Sequence, residues 1–304
     1  MTATLGSRPT PLLAARQIAR PRRLLRSKIT RRRLADGLAA LALWSIVLFA
    51  VLPIVWAFLI SLKPEEDIVT ATLSYLPKRV TFENYVAIWT RSNFPTLIIN
   101  SAVVTAMTVV ICVVIGTLGS YAVSRYRFTG RRELMLFYLV IRMFPAVMII
   151  IPLFILLRNL GLLDSRVGLA LAYTTFLLPV FIWMMKGFFE AVPIEVEEAA
   201  RMDGASRVGA MVRVVLPLVV SGLVATAVFV AIGAWNEFLF ALMLTTSAGS
   251  RTWPVGLQLM VGEFQLPWGS LAAGGIISIL PVIVLFALVQ RAMVRGLTAG
   301  AVKG

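Results

Sequence analysis

Residues Val196–Val220 read "VEEAARMDGASRVGAMVRVVLPLVV", a long polar break in an otherwise apolar C-terminal half. Pro193 suits the first turn of a helix. Glu195, Glu197 and Glu198 crowd that turn, where the helix dipole favours acids. Ala199 and Ala200 are strong helix formers with very small side chains. Gly204, directly after Asp203, stands where a left-handed cap ends a helix. Ser206 then caps a second helix, and Pro217 closes it before the next apolar run. The stretch therefore predicts a short surface helix, a tight turn and a second helix. Small residues lie on one face with charge around them, so another surface can approach closely. A plain solvated connection needs none of this order.

The chain around it is built for lipid. Of 304 residues, 59% are hydrophobic and 14% charged, against about a quarter charged in a soluble domain. Mean hydropathy is +0.90. The class is an all-α integral membrane protein. Six runs are long enough to span, at 38–62, 97–123, 134–157, 167–189, 218–244 and 271–294. Each supplies the ~20 apolar residues that a bilayer core of ~30 Å requires. Helices follow because lipid-facing backbone must satisfy its own hydrogen bonds. The first run is longer than a signal-peptide core and lacks a small-residue cleavage site after it.

Charge sets the expected orientation. Ten Lys and Arg fall between Arg8 and Arg33, and with an inward N-terminus twenty lie in inner segments against seven in outer loops. That bias predicts both termini and the opening stretch on the cytosolic side. The net charge of +15 belongs to these flanks, and no basic patch interleaved with aromatics points to nucleic acid. The arm 1–33, rich in Arg and Pro, reads as a disordered cytoplasmic segment lying on anionic headgroups. "TFENYVAIW", Thr81–Trp89, suits a short helix at the outer interface.

Several chemistries are excluded. The sequence has no histidine and one cysteine, Cys112. An intrachain disulfide, a Cys/His metal cluster and His-based acid–base catalysis are therefore ruled out. No Gly-Lys dipeptide occurs, so the phosphate-binding loop of an ATPase is missing. Neither a cofactor nor ATP is expected in this chain.

Within the opening stretch, Glu198-Ala199-Ala200 is followed at fixed spacing by Gly204, Val214 and Leu216-Pro217. This pattern resembles the cytoplasmic signature loop of the membrane subunits of binding-protein-dependent ABC importers, with Val214 where the usual pattern has Ile. "AWNEFLFAL" (Ala234–Leu242) and the terminal "RGLTAGAVKG" (Arg295–Gly304) are similar to the carbohydrate, maltose-type branch. The likeness runs from about Leu38 to the end. It implies a type I importer permease bundle in which the first helix is followed by a five-helix core over 97–294, with a coupling loop at 190–217 and a tail at 295–304. It also implies a bacterial inner-membrane setting. The implied partners are a second permease subunit, two ATPase subunits that bind ATP and Mg, and an extracytoplasmic solute-binding protein. Glu198, Ala199, Ala200, Asp203, Gly204, Leu216 and Pro217 would then form the docking element. The tail, with Leu297, Thr298, Ala299, Gly300 and Lys303, would contact the ATPase subunits. Its glycines at 296, 300 and 304 predict an irregular end.

Four residues are candidates for the substrate path. Arg142 lies about 12 Å into the third run at ~1.5 Å per residue, where it either snorkels or faces the path. Pro145 and Pro152 predict bends in the same run. Trp235, Asn236 and Glu237 lie towards the outer side of the fifth run. A carboxylate there has to face protein or water. Trp235 and Asn236 either pack between helices, belong to an aromatic interfacial belt, or stack on and hydrogen-bond a sugar. Asn100 reads as an interfacial or capping residue. The outer loop 246–270 has Trp253, Phe264 and Trp268 and reaches either a soluble partner or the membrane surface.

The reading is a permease subunit of a sugar importer. A permease for glycerol-phosphate or oligopeptides is the alternative within transport. An autonomous ion-coupled carrier would need more midplane ionisable groups than Arg142 and Glu237, and a membrane enzyme lacks its ligands. The charge count makes a direct prediction. Reporter fusions after Gly130 and Gly204 should read as cytosolic and one after Ser250 as external, and an exported reporter at Gly204 would overturn the orientation.

Overall fold

Among the described residues every long element is helical, as lipid-facing backbone requires. The computed structural model describes residues 22–70, 74–91, 93–262 and 266–301, with side chains over 35–70, 74–90, 93–141, 143–262, 266–287 and 289–290. In order the helices are α1 (Arg22–Ser61), α2 (Glu83–Arg91), α3 (Phe94–Arg125), α4 (Arg131–Met143), α5 (Ala146–Asn159), α6 (Arg166–Glu190) and α7 (Ile194–Met202). They continue with α8 (Arg207–Ala210), a π-helical turn (Met211–Val215), α9 (Leu216–Leu218), α10 (Val220–Trp235), α11 (Leu239–Leu244), α12 (Trp253–Leu259) and α13 (Trp268–Ala301). Met1–Trp56 and Ala57–Gly304 form separate units.

Among the described residues, four helices are long and apolar enough to cross a bilayer: Ala35–Ser61, Phe94–Arg125, Arg166–Glu190 and Trp268–Ala287. Two further crossings each require a bent pair, which makes up to six. The run 134–157 was expected as one span. It is divided into α4 and α5, which meet at 102° and make one crossing only as a bent pair. The cause is Pro145, which forces Phe144 into the extended conformation. Pro152, expected to bend the same run, lies inside α5 without breaking it. The run 218–244 is likewise divided. The chain turns by 80° at Val219 on entering α10, and α10 and α11 are separated at Asn236–Phe238.

Three further boundaries differ from the sequence reading. α1 starts at Arg22, inside the arm expected to be disordered, because Pro21 is the last proline before Pro53 and the residues between favour a helix. Residues 1–21 lie outside the described residues. At the other end α13 continues to Ala301, so the tail from Arg295 is helical despite Gly296 and Gly300; it extends a helix that is already nucleated, and propagation costs far less than nucleation. Its side chains lie outside the described residues, as does Lys303 altogether. The loop 246–270 also carries a helix, α12, whose Val255 is buried.

The bundle is closed by glycine notches on two helices that receive side chains of α6. A methyl on Gly116 of α3 would sit 2.3 Å from the Phe181 ring, and one on Gly222 of α10 would sit 2.3 Å from the Phe188 ring. Gly119 faces Ile182 and Gly233 faces Leu177 in the same way. Between helices in lipid no hydrophobic gain drives association, so close contact at small residues provides it. Cys112 lies buried in this packing.

Elsewhere Asn84 of α2 donates to the carbonyls of Ser61 (2.9 Å) and Lys63 (2.7 Å), satisfying the end of α1.

Gly116→Val should therefore lower the thermal midpoint of the detergent-solubilised chain, because overpacking typically costs about 1–3 kcal/mol. Gly187→Ala, with open space around its site, should leave the midpoint level or raise it. Equal midpoints for the two variants would show that the α3–α6 contact is not tight.

Candidate functional site

The polar stretch folds as its residues dictate. Pro193 is the N-cap of α7, and Glu195 and Glu197 stand in the first turn. The helix ends in a complete Schellman closure. The N–H of Ala205 donates to the Ala200 carbonyl at 3.0 Å and that of Gly204 to the Arg201 carbonyl at 3.1 Å. Gly204 has φ +93°, a region an L side chain rarely enters. No atom beyond Gly204 and its two chain neighbours lies within 4 Å of where its Cβ would be, so backbone conformation, not collision within the chain, requires glycine here. Ser206 caps α8 through its hydroxyl, which accepts from Gly209 N–H at 3.0 Å. Glu198, Ala199, Arg201, Asp203 and Gly204 are exposed, and Met202 is 84% exposed. Leu216 is half-buried against the core and Pro217 is exposed at the start of α9.

Glu197 departs from this exposed face. It points inward, where it accepts the Tyr121 hydroxyl and lies 3.1 Å from Arg125 Nε, both partners belonging to the last turn of α3. Arg125 also donates to the Val192 carbonyl at 3.0 Å. Side-chain exposures of 7% and 12% make the Arg125–Glu197 ion pair a buried one. Removing one partner of such a pair typically costs ~3–5 kcal/mol. Sequence reasoning counted Glu197 only as a dipole acid and Arg125 only as an inner charge; the contact links residues far apart in the chain and leaves no local signal. A recess of 250 Å³ opens beside it, lined by Tyr126, Ile194, Glu198, Arg201 and Arg207.

The candidate path residues separate. Trp235 is buried and donates its indole N–H to the Ser278 carbonyl of α13 at 3.1 Å, so it packs between helices and does not line an opening. Asn236 is exposed and bonds back to the Ile232 carbonyl at 2.9 Å. Glu237 accepts from Phe240 N–H (2.8 Å) and Ala241 N–H (3.1 Å), capping α11 across the break. It also faces a cavity of 340 Å³ with Tyr173, Phe176, Leu177, Phe229 and Phe240. Tyr173, almost fully buried, sets its hydroxyl beside that carboxylate without an aligned hydrogen bond. Arg142 lies on α4, and its side chain is outside the described residues.

At the opposite end from α7 a second polar cluster joins the loops. Asn100 of α3, fully buried, donates to the carbonyls of Ala248 (3.0 Å) and Arg251 (2.7 Å). Ser101 accepts from Trp253 N–H at 2.9 Å. Asp164, at φ +54°, accepts from the N–H groups of Thr246 (2.8 Å) and Ser247 (3.0 Å) and from the Ser250 hydroxyl. The interfacial role expected for Asn100 is thus a loop anchor, and Asp164 was missed altogether. The connections at 158–166 and 245–252 share this end, while those at 125–131 and 190–207 share the other, where Arg131 meets Glu190 at 3.0 Å.

Known proteins are similar to this chain in sequence and in fold. The family described as "Binding-protein-dependent transport system inner membrane component" matches residues 115–299. The trehalose transport system permease protein SugB of Mycobacterium tuberculosis is 42% identical over 85% of this chain and 94% of its own length. The diacetylchitobiose uptake system permease protein DasC of Streptomyces coelicolor is 38% identical over 86% and 95%. A solved bacterial ABC transporter involved in the import of the acidic polysaccharide alginate has a chain that superposes with a TM-score of 0.74 at 27% identity, covering 85% of this chain and 96% of that one.

Asp164 carries a pH prediction. Burial pushes its carboxyl up, but hydrogen bonds from Ser250, Ser247 and Thr246 outweigh burial and hold it well below the usual carboxylate range. A lowered folded value stabilises at every pH above the unfolded value of about 3.9, and that contribution fades as pH falls below it. Asp164→Asn should therefore melt lower than the parent chain at pH 7, and the gap should narrow by pH 3. A gap that stays constant between those two pH values would remove the charge from the account.

Proposed function

This chain belongs to the family of binding-protein-dependent transport system inner membrane components, and from that premise we propose that it forms half of the translocation path of an ATP-driven sugar importer. It is a multi-pass membrane protein whose work is transport, not catalysis. The sugar class is supported by the names of the relatives, which carry trehalose and diacetylchitobiose, and by the alginate importer. A second permease subunit would complete the path, and an extracytoplasmic binding protein would deliver the sugar.

The exposed α7–α8 segment carries the coupling role. Nothing within the chain's own described residues covers Met202 at 84% exposure or Val208 at 66%, and apolar groups so placed beside Ala199 and Gly204 fit a cleft on an ATPase subunit. Glu198, Asp203 and Arg201 frame that apolar tip. With the Lys/Arg bias setting this end in the cytosol, Asn100 and Asp164 face outward. The helical tail from Leu297 through Thr298, Ala299 and Gly300 then leaves the membrane on the ATPase side. Glu237 and Tyr173, in a cavity walled by Phe176, Phe229 and Phe240, offer hydroxyl partners and apolar faces of the kind that sugars use.

The test is uptake in proteoliposomes that hold the chain with its ATPase and second permease, with binding protein and labelled trehalose or diacetylchitobiose. Uptake should require ATP and should fall about tenfold in Gly204→Val, a loss of ~1.4 kcal/mol of docking, while insertion is unchanged. Uptake that runs on an ion gradient without ATP would defeat the importer reading.

A further inference from the structure

The α7 helix is seated unusually. Surface helices are normally held by an apolar stripe, yet the residue that α7 buries is Glu197, while Ile194 and Val196 are exposed at 52% and 36%. Besides its packing on the π-helical turn, its polar hold on the bundle is this carboxylate, which meets Tyr121 and Arg125 at the end of α3. That turn also receives the neighbouring elements. The Tyr121 ring meets Phe189 of α6 edge-on at 5.6 Å and Tyr126 at 6.3 Å, and Arg207 of α8 lies 5.6 Å over the Tyr126 ring. Both short helices of the segment thus converge on one place.

The helix that receives them reaches the other end of the bundle. α3 has 32 residues, with its proline confined to the first turn, so it is a continuous rod of ~48 Å at ~1.5 Å per residue. At its far end Asn100 holds the carbonyls of Ala248 and Arg251, and Ser101 holds the N–H of Trp253. The covalent routes out of the segment are less direct. One passes the turn at Ala191–Pro193, and the other passes the π-helical turn and the 80° bend at Val219. Bends absorb displacement, whereas an unbroken helix gripped at both ends passes it on.

We propose that Tyr121, Glu197 and Arg125 form a transmission clamp that makes α3 follow the coupling segment, so that movement at the ATPase dock reaches the loop 246–253 at the opposite end. These are positioning residues, acting through α3 and not on the sugar. The inference rests on the reading of α7–α8 as the docking element.

The experiment places a cysteine at Ala248, an exposed position, in the assembled transporter in membrane vesicles; the natural Cys112 is buried. The rate of reaction with a membrane-impermeant maleimide is measured with and without ATP plus vanadate. In the otherwise unsubstituted chain, trapping should change the rate by about fivefold, the low end of an allosteric coupling. In Glu197→Gln and in Tyr121→Phe, which keeps the ring packing, that change should vanish while the ATPase subunit still co-purifies in full. The charge-swapped pair Arg125→Glu with Glu197→Arg should recover part of it. No nucleotide response at Ala248→Cys, or an undiminished one in both variants, overturns the clamp. Failure of the docking reading looks different: the ATPase subunit would not co-purify with the unsubstituted chain.

Discussion

The close approach of α6 to α3 and α10 is the constraint on which the rest of the molecule depends. Lipid tails are as apolar as leucine, so helices gain little by hiding apolar surface from them. What holds them is contact distance. Gly116 and Gly222 admit the rings of Phe181 and Phe188, and larger residues at either place would move whole helices apart. The buried polar contacts come second and presuppose that spacing. Tyr121 reaches Glu197, and Asn100 reaches the 248–251 backbone, because α3 is already fixed against α6.

Polar groups inside this bundle serve mainly to close backbone that lipid cannot satisfy. Asn100, Asp164, Glu237 and Asn84 each accept from or donate to main-chain groups at a helix end or loop. That use explains why charged and amide residues persist at depth without a catalytic role. Glu237 shows how one residue can serve two ends. Its oxygens cap α11, and the same carboxylate faces a cavity walled by three phenylalanines.

What the sequence revealed and what it hid divide along physical lines. The four unbroken spans, the α7–α8 segment, the turn at Gly204 and the cap at Ser206 follow from local rules of apolar length, φ and capping, and they were legible. The break at Phe144–Pro145 was half legible: the proline announced a bend but not its size. For Trp235 the sequence left helix packing and sugar contact both open, because the partner of its indole N–H, the Ser278 carbonyl, stands on another helix. Glu197, Arg125 and Asp164 were opaque for the same reason, since their partners are set by how helices stack and not by what stands beside them in the chain.

The π-helical turn at Met211–Val215 gives the molecule a phase. An α-helix advances by about 100° per residue, and a π turn accommodates a residue more than the regular ladder allows. Everything on the α8 side of that turn is therefore rotated relative to α9 and the membrane. The compass direction of the segment's exposed tip is set by a count of residues as much as by their identity. A chain one residue shorter here could keep every side chain of the tip and still present it to the wrong quarter.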